Sequence, residues 1–294
     1  MSMPSLHVLL NALVTGALLG GLLAVTALGL SLVFGVMRLI NLAHGELLVL
    51  GAYLAFEVTR HLGLDPLLSI VVVAPVMFLV ALPLFRLLLV PVLDRGPEPA
   101  MLTTFGLSII AQSLFILVFT GDSRSLSASY VTASWSVLGL NLPVMYLIAF
   151  AIGVALCLLL DQLIRRTAFG RDVRAASEDT GAASALGVNI RRTHLIVFGI
   201  SAACAGIGGV LVGTTFSFTP TTGLTYLLTG FAVVVLGGLG SVRGTLLGAV
   251  GLGIVESLGG AFFGDGYRDI VGFVVFLVVL VLRPQGLFGR MVMA

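Results

Sequence analysis

The stretch MRLINLAHGEL, residues 37–47, places Arg38, Asn41, His44 and Glu46 between two strongly apolar runs. A histidine two residues from a carboxylate is the raw material of a proton relay, and Glu256 is the other carboxylate set within apolar sequence. A charge at mid-membrane costs about 2.5–3.5 kcal/mol on insertion scales, so such groups turn into a helix bundle or toward an interface. Two readings follow: a relay, or a polar network that ties helix breaks together, with Arg38 as an anchor at the membrane face. The second asks less of the residues.

Other chemistry finds little support. Ser31, Ser108 and Ser201 each follow Gly-X, but no glycine follows two residues later, as a strained nucleophile turn needs. All 15 basic residues are arginine, so the lysine of a phosphate-binding loop is missing. The chain is therefore not expected to be an enzyme or to carry its own ATPase site. Cys157 and Cys204 lie in apolar runs and read as small core residues. No cofactor, metal or nucleic-acid partner is expected.

The elements that position these residues are membrane helices. The 294 residues are 59% hydrophobic and 10% charged, against about 25% charged in a soluble domain. Mean hydropathy is +1.18. A span needs about 20 mostly apolar residues. Candidate runs are 8–36, 47–58, 67–89, 101–120, 144–160, 195–214, 224–239, 245–263 and 270–282. The expected fold is an all-α, polytopic transmembrane helical bundle of 8–9 spans with broken or re-entrant helices, a single domain over residues 1–294. The N-terminus lacks the basic region of a signal peptide, so the first run is expected to stay as a span.

Arginine placement sets the orientation. The polar stretch 161–194 holds Arg165, Arg166, Arg171, Arg174, Arg191 and Arg192 and is cytoplasmic by the positive-inside rule. Counting outward puts Arg38, Arg86, Arg95, Arg243, Arg283 and Arg290 on that side and only Arg60, Arg124 and Arg268 on the other. The N-terminus is then outside and the C-terminus cytoplasmic. Outside, residues 121–143 carry the only tryptophan, Trp135, as an interfacial anchor or a docking surface.

Within 161–194, Asp179 or Thr180 can cap one short helix, small residues Gly181 to Ala185 follow, and Gly187 suits its end. A small-faced helix outside the bilayer is a poor catalyst and a good ball for a socket. Glycines spaced four apart, such as Gly16 and Gly20 or Gly209 and Gly213, allow close helix approach. The run Gly237, Gly238, Gly240, Arg243 and Gly244 suggests a broken span. His44-Gly45-Glu46 and Arg243-Gly244-Thr245, each followed by two leucines, hint at an internal repeat of such breaks.

The stretch RRTAFGRDVRAASEDTGAASALGVNIRRTHLIVFGISAACAGIGGVLVG resembles the coupling region of permease subunits of bacterial ABC importers, in the branched-chain amino acid (LivH-like) family. Residues 27–53 and 233–256 resemble the family's two membrane signatures, and LRPQGLFGR its end. The resemblance implies that residues 161–194 dock into cytoplasmic ABC ATPase subunits, through Gly170, Arg171, Arg174, Glu178, Asp179, Ala182, Ala183 and Gly187. Asn41, His44, Gly45, Glu46, Gly240, Arg243 and Gly244 would form helix breaks or line the pathway. It further implies a second related permease, an extracytoplasmic solute-binding protein and residence among the lipids of a bacterial inner membrane. The solutes would be branched-chain amino acids or similar small polar molecules. The rival reading is a stand-alone secondary transporter or channel using His44, Glu46 and Glu256.

Overall fold

The computed structural model describes residues 5–93, 95–137, 139–283 and 286. Arg290 and most of the closing LRPQGLFGR motif lie outside the described residues. The helices are α1 (Leu6–Met37), α2 (His44–Leu62), α3 (Ile70–Leu84), α4 (Val90–Leu93), α5 (Pro97–Phe119), α6 (Val144–Arg166), α7 (Ala168–Glu178), α8 (Thr180–Ala185), α9 (Ile190–Thr215), α10 (Gly223–Gly237), α11 (Val242–Phe263) and α12 (Arg268–Leu282). A π turn, Phe85–Leu89, fuses α3 to α4. Prolines 75 and 83 precede that turn; each lacks a backbone N–H, which favours such an irregular turn.

Each of the nine expected apolar runs coincides with a helix. Among the described residues six helices, with α3 and α4 counted as one, are long and apolar enough to cross a membrane, and α10 is a shorter apolar helix. The all-α membrane bundle is therefore present. α2, with 19 residues, and α12, with 15, are not among them.

α1 and α9 form the centre. Their apolar windows are 83% and 72% buried, whereas that of α5 is only 11% buried. A helix apolar on every side belongs inside a bundle. α1 packs against α9, α10 and α11, and α9 packs against α1, α2 and α3, so α1–α2–α3 and α9–α10–α11 are interlocked counterparts. Glycines set the spacing: a Cβ on Gly16 would lie 2.6 Å from the Gly253 carbonyl oxygen, and one on Gly51 would lie 2.6 Å from Gly206 Cα.

Two chain segments re-enter the bundle. α1 ends at Met37, and Arg38 takes the left-handed conformation, φ 51°. The chain then doubles back, and His44 Nε2 lies 2.8 Å from the Thr26 carbonyl oxygen. Thr26 is about 16 Å up α1 from Met37 at 1.5 Å per residue, so α2 begins well inside the bundle. From the opposite end, residues 216–222 lead from α9 back inward, and α10 begins with Gly223 packed on Gly45.

The expected repeat is corrected here. Arg243 and Gly244 open α11 after a tight turn in which Gly238 and Gly240 have positive φ. That turn packs Gly240 on Gly35, near the end of α1. Residues 240–244 therefore join two helices at the bundle's end and do not break a span within it. The likeness of His44-Gly45-Glu46 to Arg243-Gly244-Thr245 is that of two helix starts at different depths. The counterpart of the break before His44 is the one before Gly223.

The ends of the bundle differ in charge. One gathers Arg38, Arg86, Arg191, Arg192 and Arg243 around α7 and α8. At the other, Arg124 faces Glu57 at 3.8 Å and the Tyr130 hydroxyl donates to Asp65 Oδ1 at 2.7 Å. Burial and the Asp65 carboxylate push the Tyr130 hydroxyl well above the ordinary phenol range. Residues 121–143, expected as a loop, contain an antiparallel hairpin of β1 (Ser134–Val137) and β2 (Leu140–Pro143) with Trp135 opposite Leu142. The Asn141 N–H donates to Asn11 Oδ1 at 2.9 Å, which ties the hairpin to the start of α1.

Candidate functional site

The surface at the arginine-rich end consists of two helices, where the sequence suggested one. The Thr167 hydroxyl accepts from the Gly170 N–H at 2.9 Å and caps α7. Gly170 is buried against the last turn of α6, where a Cβ would overlap the Ile164 carbonyl. Arg174 donates to that same carbonyl. Val173 and Ala176 complete the buried face of α7. This helix escaped the sequence reading because its buried face is one glycine, one valine and one alanine among basic residues, too faint a periodicity.

Asp179 separates the two helices and is the cap of α8. Its Oδ1 accepts from the Gly181 and Ala182 N–H groups at 2.7 and 2.9 Å. At the other end the Val188 N–H reaches the Ala183 carbonyl and the Gly187 N–H reaches that of Ser184, both at 3.0 Å. Gly187 has φ 89°, a closure that favours glycine. Of the residues singled out, Gly170 and Ala183 are buried and fasten the pair of helices, while Arg171, Arg174, Glu178, Asp179, Ala182 and Gly187 are exposed. Leu186, which closes α8 just before Gly187, is 85% exposed, the most exposed large hydrophobic residue among the described residues. The sequence carried it inside a motif without marking its exposure.

A groove beside α8 joins this surface to the first break. Met37 and Arg38 line it together with Ser177, Glu178, Asp179, Thr180 and His194. The left-handed joint at the end of α1 thus adjoins the junction of α7 and α8.

Inside the bundle, five helices, α1, α2, α5, α9 and α10, build the break. Asn41 Oδ1 accepts from the Ala43 N–H at 3.1 Å, a local turn that starts α2. The Leu42 N–H donates to the Thr104 hydroxyl of α5 at 3.2 Å. His44, 1% exposed, bonds to the Thr26 carbonyl through Nε2, and its Nδ1 has no partner. Gly29 leaves room for it: a Cβ there would lie 3.0 Å from both His44 Cε1 and the Ser201 hydroxyl. The Ser108 hydroxyl donates to Glu46 Oε1 at 3.4 Å. A Cβ on Gly45 would overlap the Gly223 carbonyl.

The Glu46 carboxylate therefore lies in the first turn of α2 and against the first residue of α10. Helix N-termini carry partial positive charge, and one carboxylate faces two of them. Asn41 Nδ2, His44 Nδ1, Glu46 Oε2 and the Ser201 hydroxyl are buried without a protein partner. Unpaired buried polar atoms are uncommon, and four here mark the break as the polar centre of an apolar bundle.

Other candidates lie elsewhere. Glu256 sits under Gly272 of α12, where a Cβ would come within 3.0 Å of its Oε1. Arg243 is drawn to α6: its Nε and Nη2 donate to the two oxygens of Asp161 at 2.9 and 2.8 Å, and Arg165 Nε donates to Oδ1 at 2.8 Å. Asp161, missed in the sequence, thus ties α6 to α11. The cysteines are buried, outside any disulfide and on different helices. Among the described residues no group of three His, Cys, Asp or Glu is placed to hold a metal ion.

An apolar helical bundle with six helices long enough to cross a membrane and two breaks inside it defines a multi-pass membrane protein. The chain belongs to the family described as branched-chain amino acid transport system / permease component, whose model matches residues 12–280. It is 30% identical over 98% of both chains to the high-affinity branched-chain amino acid transport system permease protein BraD of Pseudomonas aeruginosa. It is 31% identical over 96% of both chains to the permease protein LivH of Escherichia coli K12. A second permease of that organism, LivM, is 30% identical over 90% of this chain and 67% of its own length. No solved structure matches.

Proposed function

We propose that this chain forms half of the membrane pathway of a binding-protein-dependent ABC importer for branched-chain amino acids or similar small polar solutes. Separate cytoplasmic ATPases drive it, a second related permease completes the pathway, and an extracytoplasmic binding protein delivers the solute. The names of BraD and LivH support the solute class, and similarity to both LivH and LivM supports a paired arrangement. The chain acts as one permease domain of eight or nine spans, with re-entrant breaks, in a bacterial inner membrane. Its N-terminus is outside and its C-terminus cytoplasmic, a placement supported by the arginines gathered at the end that carries α7 and α8.

One observation carries the reading: at the end of α8, which is capped at both ends, Leu186 stands 85% exposed. A large apolar side chain on a short rigid helix is what a protein socket binds. Residues 161–194 are the coupling loop in this account. Motion imposed on α8 reaches α6 through the contacts of Gly170 and Arg174. It reaches α1 through the groove shared by Glu178 and Arg38, and from there the re-entrant segment that sets the depth of His44 and Glu46. Neither of those two residues moves a proton here; they bind the break together.

Burying a leucine side chain is worth about 1.5–3 kcal/mol. Leu186→Ala should therefore weaken association with the ATPase subunits by about tenfold while leaving membrane insertion intact. Association at wild-type strength would remove α8 from the contact. Uptake by the chain without ATPases would replace this reading with a stand-alone transporter or channel.

A further inference from the structure

At the arginine-rich end a second groove runs between α3, its π turn and α9. Phe78, Leu82, Phe85, Arg86, Val90, Arg191, Arg192, Leu195 and Ile196 line it, with a volume of about 540 Å³. Its lining is divided. Phe78, Leu82, Leu195 and Ile196 form apolar walls, and three arginines cluster at the end nearest the coupling helices. From Phe78 to Arg86 the wall extends about 12 Å at 1.5 Å per residue.

The charges are placed against local preference. Arg191 and Arg192 stand in the first turn of α9, which holds no acidic residue, although cations are unfavourable at a helix N-terminus. Arg86 adds a third positive charge across the groove, and among the described residues no lining side chain is acidic. Among the described residues neither Arg86 nor Arg192 forms an ion pair. Arg192 thus holds a cation without an ion pair where the dipole of α9 repels it, and such conflicts gather at functional sites.

We propose that this groove binds an anionic phospholipid, with the phosphate against Arg86 and Arg192 and an acyl chain along the Phe78–Leu82 wall. Charge complementarity selects an anionic headgroup, and the apolar walls select a lipid over a free anion. The flanking surface supports this: Val71, Leu79 and Leu87 of α3 and the π turn are 73%, 61% and 73% exposed, the pattern of a lipid-facing helix. Basic pockets between membrane helices at the cytoplasmic side take up such headgroups. Arg192 also lines the groove under Leu186 and Gly187, so the bound lipid would brace the root of the coupling helices. The inference needs only that the chain lies in a bilayer, and its failure leaves the transport reading untouched.

The test is native mass spectrometry of the purified full chain, released from detergent micelles holding phosphatidylglycerol, phosphatidylcholine or inorganic phosphate. Phosphatidylglycerol should be retained, phosphatidylcholine should not, and inorganic phosphate should not compete. Each arginine near an anionic surface contributes about fivefold, so the Arg86→Gln, Arg192→Gln double variant should retain about 25-fold less phosphatidylglycerol. The corresponding Arg→Lys double variant, which keeps the charge, should retain most of it and controls for folding. Equal retention of both lipids, competition by inorganic phosphate, or unchanged retention by the Gln variant would each overturn the assignment.

Discussion

The carboxylate of Glu46 lies over Gly223, where a Cβ would come within 2.5 Å of Oε1. These residues open two different helices, α2 and α10, which enter the bundle from opposite ends. Their contact is the point at which the two re-entrant halves meet, and the account predicts that it tolerates no added bulk. Gly223→Ala must push Glu46 aside, and overpacking of this kind costs about 1–3 kcal/mol. Thermal unfolding of the purified chain should show that loss, together with reduced uptake. Gly251→Ala is the matched control, because nothing lies within 4 Å of a Cβ there; it should be neutral or slightly stabilising. Equal behaviour of the two variants would mean that the contact is not tight.

The pair of Asp161 and Arg243 makes a geometric prediction. Arg243 bonds both carboxylate oxygens, a fork that lysine cannot reproduce. Its side chain is 61% exposed, so solvent screens the pair and keeps its contribution to stability small. Arg243→Lys should lose most of that stability although the charge is kept, and Asp161→Asn should lose a similar amount. If lysine restores wild-type thermal stability, the charge matters and the fork does not.

Gly187 separates backbone strain from side-chain bulk. Its φ is 89° and the space beyond it is open. A left-handed backbone costs most residues about 1–2 kcal/mol, and asparagine tolerates it better. Gly187→Val should therefore unwind the end of α8 and depress transport-coupled ATPase activity more than Gly187→Asn. The reverse order would point to a contact at the surface of residue 187.

Much of this was legible in the sequence. Most of the nine apolar runs are long, and each, including the short run 47–58, falls on a helix of the bundle. The caps of α8 were legible because Asp179 and Gly187 act on neighbouring residues. α7 was not, for its buried face is made of small residues. The partner of the first break was also hidden. Residues 216–222 lie between the runs 195–214 and 224–239, and nothing local announces that Gly223 must touch Gly45 and Glu46. The likeness to Arg243-Gly244-Thr245 pointed to the wrong counterpart because helix starts share residue types wherever they lie. Asp161 escaped for a similar reason, its partner Arg243 being brought near only by the packing of α6 on α11.

The central claim is that force enters through α8. The direct measurement is ATP-driven uptake of labelled leucine into proteoliposomes holding this chain, its partner permease and the ATPases, with the binding protein added outside. Leu186→Asp puts a charge where a socket expects an apolar group. The account predicts uptake below about a tenth of wild type, since burying an unpaired charge costs far more than the roughly 1.4 kcal/mol this requires, with the permease pair still assembled. Uptake at the wild-type rate in that variant would contradict it.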